Sequence, residues 1–141
     1  MKQKITIEII CSLLVLLFVY AAVSKIWEYE TFKYQLGNSP FLKPFASVIV
    51  WLVPSVELII SAMLAVAQTR RAGLYASLIL LLAFTGYIAG MLLSGIHLPC
   101  PCGGIIQRFS WKQHLVFNLF FIVLSAIGIV LERNQKLKYA A

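Results

Sequence analysis

Charged residues are scarce in this chain. Only 12% of its 141 residues are Asp, Glu, Lys or Arg, against roughly 25% in soluble domains, whereas 61% are hydrophobic. A water-soluble core cannot hold that much apolar surface, so a soluble globular domain is excluded. The length fits one domain, residues 1–141. We predict an all-α integral membrane four-helix bundle, since four crossings of about 20 residues each use more than half of the chain.

A basic face with interleaved aromatic residues is also absent outside the apolar runs. The formal net charge is +7, but the Lys and Arg residues stand at the ends of apolar runs. Anionic lipid head groups and membrane topology explain cations at such positions. The sequence therefore predicts the lipid bilayer as a partner and no nucleic acid.

Four apolar runs are long enough to span a bilayer. The first also resembles a signal peptide, with Val19-Tyr20-Ala21 near a cleavage point. Its length and the Lys25 and Trp27 that follow it favour a membrane span. The predicted spans cover approximately residues 5–24, 45–67, 73–94 and 114–131.

Two local patterns refine this bundle. After the first span, apolar residues recur at helical spacing with charges between them, which predicts a short interfacial helix ending at Gly37-Asn38-Ser39-Pro40, with Gly37 as its C-terminal cap. In the third span, Gly86-x-x-x-Gly90 predicts a close approach of two helices. The apolar positions of the short helix are Ile26, Tyr29, Phe32 and Leu36.

Lys and Arg are unequally distributed between the two sides of the membrane. Seven stand at the N-terminus, in the turn after the second span and in the C-terminal tail: Lys2, Lys4, Arg70, Arg71, Arg133, Lys136 and Lys138. Five stand in the other two loops: Lys25, Lys33, Lys43, Arg108 and Lys112. Because positively charged short loops stay in the cytoplasm, we predict cytoplasmic termini. In a bacterium, this multi-pass protein would lie in the inner membrane, with residues 94–113 in the periplasm.

The predicted periplasmic loop contains Cys100-Pro101-Cys102, followed by two glycines. Pro101 fixes its own φ at about −65° and favours extended geometry at Cys100, so the two thiols are held close together. A disulfide across such a small ring is expected to be strained, and strain makes a disulfide easier to reduce. We therefore predict thiol–disulfide exchange, with Cys100 and Cys102 as the catalytic residues.

Three other interpretations of the cysteine pair stay open: a static loop disulfide, a metal site and no special role. His97 and His114 flank the pair, and two imidazoles with two thiolates suit Zn²⁺ or copper. A pair separated by one residue hinders both sulfurs from binding one tetrahedral ion, so no metal ligand is assigned. Each histidine is then either an interfacial polar residue or a group that helps to ionise a thiol.

Glu57 lies near the middle of the second span, where a charged side chain is costly and usually faces the bundle interior or a wet cavity. Lys25, at the end of the first span, is its predicted partner. A structural contact and a proton-handling or ligand-contacting role are both open for this pair. Cys11, toward the cytoplasmic end of the first span, is predicted to be a small buried residue that does not reach the Cys100 pair.

Taken together, these features resemble the MauE and DoxX-like family of small redox-associated membrane proteins. The resemblance covers nearly the whole chain. It rests on Ser24-Lys25, Ser39-Pro40-Phe41, Pro54-x-x-Glu57 and Cys100-x-Cys102 followed by glycine. It implies a four-helix membrane protein associated, in the MauE case, with methylamine utilisation and with maturation of methylamine dehydrogenase, whose small subunit is rich in disulfides.

The function predicted on this basis is a thiol–disulfide oxidoreductase or relay that serves a periplasmic thiol or disulfide protein. The chain has no second extramembrane cysteine pair, so onward electron transfer needs a partner protein or a small molecule bound near Glu57 and Lys25. A likeness of fold to quinone-linked disulfide generators does not establish a quinone. Quinone and metal therefore stay open as cofactors. The alternative is a non-catalytic membrane accessory factor, or a carrier of a metal or small molecule.

Overall fold

The computed structural model describes residues 1–95 and 111–140, and this part of the chain contains helices and no strand. The predicted all-α class is confirmed. His97, Cys100 and Cys102 lie outside the described residues. The helices are α1 (Lys2–Trp27), α2 (Tyr29–Asn38), α3 (Ala46–Ala65), α4 (Arg70–Leu93) and α5 (Trp111–Ala140), with a 3₁₀ turn, Lys43–Phe45, leading into α3.

Four helices of the described part are long and apolar enough to cross a membrane: α1, α3 with its preceding turn, α4 and α5. At 1.5 Å per residue, the 20 residues of α3 alone extend about 30 Å, the thickness of the hydrocarbon layer. Large apolar side chains cover the outside of the bundle, and Leu16, Ile79 and Val116 are each 67% exposed. Lipid is the solvent for such a surface, which confirms the predicted membrane bundle.

Successive spanning helices run in opposite directions. The most extensive helix contacts join α1 with α3 and α4 with α5. At one end of the bundle, Gln3 Nε2 donates a 2.9 Å hydrogen bond to the carbonyl oxygen of Leu131, which ties the start of α1 to the later turns of α5. The opposite end carries α2, together with the ends of α1 and α4 and the starts of α3 and α5, and is called the α2 end below.

The helix α2 ends at Asn38, two residues before the proline predicted to stop it, and Ser39 is its C-terminal cap. Ser39 adopts an extended conformation, with φ −77° and ψ 126°, as expected for a residue before a proline. The prediction of Gly37 as C-terminal cap is wrong, because Gly37 lies inside α2. Among the described glycines, Gly95 is the one with a positive φ.

The position of α2 is fixed by apolar packing and by a hydrogen bond. Phe32 and Leu36 are buried and form a cluster with Val50 of α3. The Tyr87 hydroxyl of α4 donates a 3.0 Å hydrogen bond to Ser39 Oγ. These contacts hold the short helix and its following turn against the spans.

The predicted close approach at Gly86 and Gly90 is not made within the described residues, where a Cβ on either glycine would meet no heavy atom within 4 Å. The tight contacts lie at two other glycines. A Cβ on Gly73 would lie 3.0 Å from the backbone nitrogen of Leu64, and one on Gly128 would lie 3.0 Å from a leucine methyl of α4. Among the residues that the structure describes, the glycines that allow close packing are therefore Gly73 and Gly128.

The main hydrophobic core lies between the four spanning helices. Leu14, Phe18 and Leu64 are almost completely buried in it. Cys11 belongs to the same cluster, with 4% of its surface exposed, and is a free thiol. Its predicted role as a small buried residue is confirmed.

A buried ion pair as the candidate functional site

Two residues of opposite charge meet inside the bundle near the α2 end. Lys25 lies in the last turn of α1, and Glu57 lies in the middle of α3. The distance from Lys25 Nζ to Glu57 Oε1 is 2.9 Å, and the exposed fractions of the two side chains are 2% and 0%. The contact predicted between them is therefore present and completely buried.

The Lys25 side chain reaches this position because its long apolar stem can bend into the bundle while its backbone stays near the end of α1. Its ammonium nitrogen also lies 3.5 Å from the Ala21 carbonyl oxygen. The ring centroids of Phe32 and Phe84 lie 6.0 and 5.7 Å from the same nitrogen. Two aromatic faces thus contribute a cation–π attraction in surroundings that exclude water.

Two polar residues of α5 complete the site. His114 and Asn118 are one helical turn apart, so they lie on the same face of α5, and they are 2% and 5% exposed. Together with Lys25 and Glu57 they line a cavity of about 20 Å³, which is room for one water molecule. Among the described residues, Asn118 Nδ2 has no hydrogen-bond acceptor. We call Lys25, Glu57, His114 and Asn118 the buried polar cluster.

Stability alone does not account for this cluster. Each ion loses several kcal/mol of solvation when it is buried, and replacing a buried ion pair with apolar residues is often neutral or stabilising by about 1–4 kcal/mol. Charged residues within membrane spans are rare for the same reason and commonly mark pathways for protons, ions or substrates. The pair of Lys25 and Glu57 is therefore a candidate functional site.

The buried polar cluster offers proton-transfer chemistry in an apolar environment. Glu57 and His114 are both groups that can accept and release a proton. Lys25 balances the negative charge of Glu57, and Asn118 can orient a water molecule in the cavity. The arrangement can therefore supply a proton to a reaction at the α2 end, or take one up from it.

The position of the cluster relates it to the predicted thiols. Because α4 ends at Leu93 and α5 begins at Trp111, both ends of the intervening segment lie at the α2 end. His114 stands in the first turn of α5. The described residues contain no group of three or more His, Cys, Asp and Glu side chains that could hold a metal ion.

The sequence prediction missed Asn118, Phe32 and Phe84 as members of the site. Asn118 could have been predicted from the sequence, because it is an amide within an apolar run, four residues after His114. Polar residues in membrane spans tend to face other helices. No signal distinguishes Phe32 and Phe84 from the other aromatic residues, because their proximity to Lys25 depends on how the helices pack.

Comparison with known proteins identifies the family of this chain. No curated protein and no solved structure matches the chain. The family described as methylamine utilisation protein MauE matches residues 3–131, which include all four spanning helices and the buried polar cluster. This is the family to which the resemblance in the sequence pointed. The chain belongs to the MauE family of membrane proteins of methylamine utilisation.

Proposed function

We propose that this protein is a thiol–disulfide relay of the bacterial cytoplasmic membrane. Its termini lie in the cytoplasm, and Cys100 and Cys102 face the periplasm, where they exchange electrons with a protein on the maturation path of methylamine dehydrogenase. The observation that carries the proposal is the buried pair of Lys25 and Glu57, at the end of the bundle from which the cysteine-bearing segment extends. Family membership supports the link to methylamine utilisation.

The proposed exchange transfers two electrons from the client to the relay. A client thiolate attacks the Cys100–Cys102 disulfide, so that one sulfur–sulfur bond breaks and a mixed disulfide forms. The second client thiolate then attacks the mixed disulfide. The client leaves with a new disulfide, and Cys100 and Cys102 remain as thiols. The client is oxidised, the relay is reduced, and two protons are released by the client and taken up by the relay.

The buried polar cluster has a defined role in this scheme. Thiol–disulfide exchange requires thiolates, so each step takes up or releases a proton. Glu57 and His114 handle these protons in a region that bulk water does not reach, while Lys25 stabilises the Glu57 carboxylate. These three residues are positioning or proton-handling groups, and the sulfurs of Cys100 and Cys102 are the reacting atoms.

Thiol trapping in intact cells tests the relay. Free thiols are alkylated under acid quench, and the disulfide-linked species are separated without reducing agent. We expect the wild-type pair to be found in both oxidised and reduced forms. Either Cys100→Ser or Cys102→Ser should accumulate a mixed disulfide with a periplasmic protein. Cys11→Ser is the matched control and should leave the pattern unchanged, because Cys11 is buried in the core.

The same variants separate the relay from a non-catalytic accessory factor or carrier. If the double variant Cys100→Ser/Cys102→Ser still supports full maturation of active methylamine dehydrogenase, thiol exchange is not the function. If the purified protein instead holds one metal ion per chain, and this variant loses it, the protein is a metal carrier.

A further inference from the structure

A second, larger cavity adjoins the buried polar cluster. It has a volume of about 250 Å³ and lies between α2, α3 and α4. Its surface is apolar, and the side chains of Lys25 and Tyr87 border it at the α2 end through their apolar parts. We call it the α2 groove. Cavities with apolar walls do not hold water well, so a membrane-soluble molecule is the suitable occupant.

The α2 groove is the middle one of three cavities that share wall residues, and the three together are called the path below. Toward the bundle interior it shares Lys25 and Phe84 with the small cavity of the buried polar cluster. Toward the lipid it shares Leu80 and Ala83 with an apolar groove of about 380 Å³ between α3 and α4. The path therefore fits an elongated molecule whose polar head lies near Lys25 and whose apolar tail extends between α3 and α4.

The end of the path near Lys25 determines which kind of membrane molecule can bind with its polar head there. The rings of Phe32 and Phe84 line the groove, and both lie near the Lys25 ammonium. Two aromatic side chains there favour a flat conjugated ring, since aromatic rings stack well at 4.5–7 Å. A cation there favours an oxygen that becomes negative during reaction. A phospholipid head group would instead bring its phosphate into the bundle, and an acyl chain makes no use of Lys25.

We propose that the α2 groove binds a prenylated quinone, with its ring against Phe32 and Phe84 and one carbonyl oxygen toward Lys25. The Lys25 ammonium, paired with Glu57 at 2.9 Å, can donate a proton to that oxygen as the ring is reduced. The binding site is formed by described residues alone and does not depend on the thiols.

The redox role of this quinone rests on the proposed function. The relay needs an electron acceptor after each client, and the third cysteine cannot serve, because Cys11 lies about 21 Å from Lys25 along α1 and is buried in the core. In the proposed step, the thiols of Cys100 and Cys102 give two electrons and two protons to the quinone. A disulfide and a hydroquinone are the products.

Binding is tested with decylubiquinone on purified protein that carries Cys100→Ser/Cys102→Ser, so that no thiol can react. The readout is the shift in thermal unfolding midpoint as a function of quinone concentration. Ala83→Trp places an indole where the α2 groove meets the lipid-facing groove. Leu82→Trp is the matched control, because Leu82 is 51% exposed on the same helix and lines none of the three cavities.

We expect Ala83→Trp to raise the half-saturating quinone concentration at least tenfold and Leu82→Trp to leave it within twofold of the parent. If Ala83→Trp does not fold, Val53→Trp fills the same groove from α3. Equal quinone affinity in the filled and control variants would overturn the proposal. Competition by decanol at the same concentration as decylubiquinone would also overturn it, since the groove would then accept any alkyl chain.

The two proposals fail separately. Saturable quinone binding in a protein whose thiols never leave the oxidised state in cells would refute the relay and keep the binding site. Thiol cycling in a protein that binds no quinone would refute the quinone site and keep the relay, whose acceptor would then be another protein.

Discussion

Lys25 Nζ lies 2.9 Å from Glu57 Oε1, although 32 positions separate the two residues in sequence. The contact joins the last turn of α1 to the middle of α3 and is excluded from both water and lipid. Lys25 and Glu57 differ from a buried pair of apolar residues, because each buried charge needs the opposite charge of the other residue to offset its lost solvation.

Removing one partner of this pair should therefore cost more than removing both. Lys25→Met leaves the Glu57 carboxylate buried without its cation, and we expect a loss of about 3 kcal/mol in unfolding free energy. Lys25→Met/Glu57→Leu should recover most of that loss. Denaturant unfolding in micelles measures the unfolding free energy of the parent and of these variants. Lys43→Met is the control, because Lys43 is exposed, and it should stay within about 0.5 kcal/mol of the parent. A double variant less stable than Lys25→Met would contradict this explanation.

Gly73 and Gly86 differ in the space that each leaves for an added methyl group. Gly73→Ala places a Cβ 3.0 Å from the Leu64 backbone nitrogen, where only a shift of α3 against α4 relieves the contact, so we expect about 1–3 kcal/mol of destabilisation. Gly86→Ala meets nothing within 4 Å among the described residues and should stabilise by up to about 1 kcal/mol through helix propensity. Thermal unfolding of the two variants side by side measures the contrast; equal midpoints would show that the α3–α4 contact tolerates a methyl group.

The hydrogen bond from Tyr87 to Ser39 should hold the turn after α2 to the bundle. Tyr87→Phe and Ser39→Ala should each lose about 1 kcal/mol of stability, and the double variant should lose no more than the larger single effect. Tyr75→Phe is the control, since Tyr75 lies on the same helix and is 41% exposed. Fully additive losses would mean that the two side chains act independently.

The orientation of the chain can be tested at two exposed turns. In a background with all three native cysteines changed to Ser, Lys43→Cys reports the α2 end, and Gln68→Cys reports the opposite end, between α3 and α4. An impermeant thiol reagent added to spheroplasts should label Lys43→Cys at once and Gln68→Cys only after the membrane is broken. The reverse pattern would place the α2 end in the cytoplasm and exclude a periplasmic thiol pair.

The sequence by itself determined the helical membrane architecture. Apolar length and the scarcity of charge are local properties, and a bilayer accepts few structures other than a helix for such a segment. The 3.6-residue period after the first span likewise indicated α2, and Pro40 indicated where it ends. Polar residues within apolar runs, Glu57 above all, predicted a candidate functional site, because burying a charge has a cost that an inert span does not incur.

Only the tertiary structure decided which of these side chains meet. The rotation of each helix about its axis and the depth at which it packs depend on contacts between residues far apart in sequence. Packing brought His114 and Asn118 to the pair of Lys25 and Glu57, and it placed two phenylalanines beside the ammonium group. For the same reason the close helix contacts fell at Gly73 and Gly128, since a glycine pattern allows two helices to approach but does not choose the partner surface.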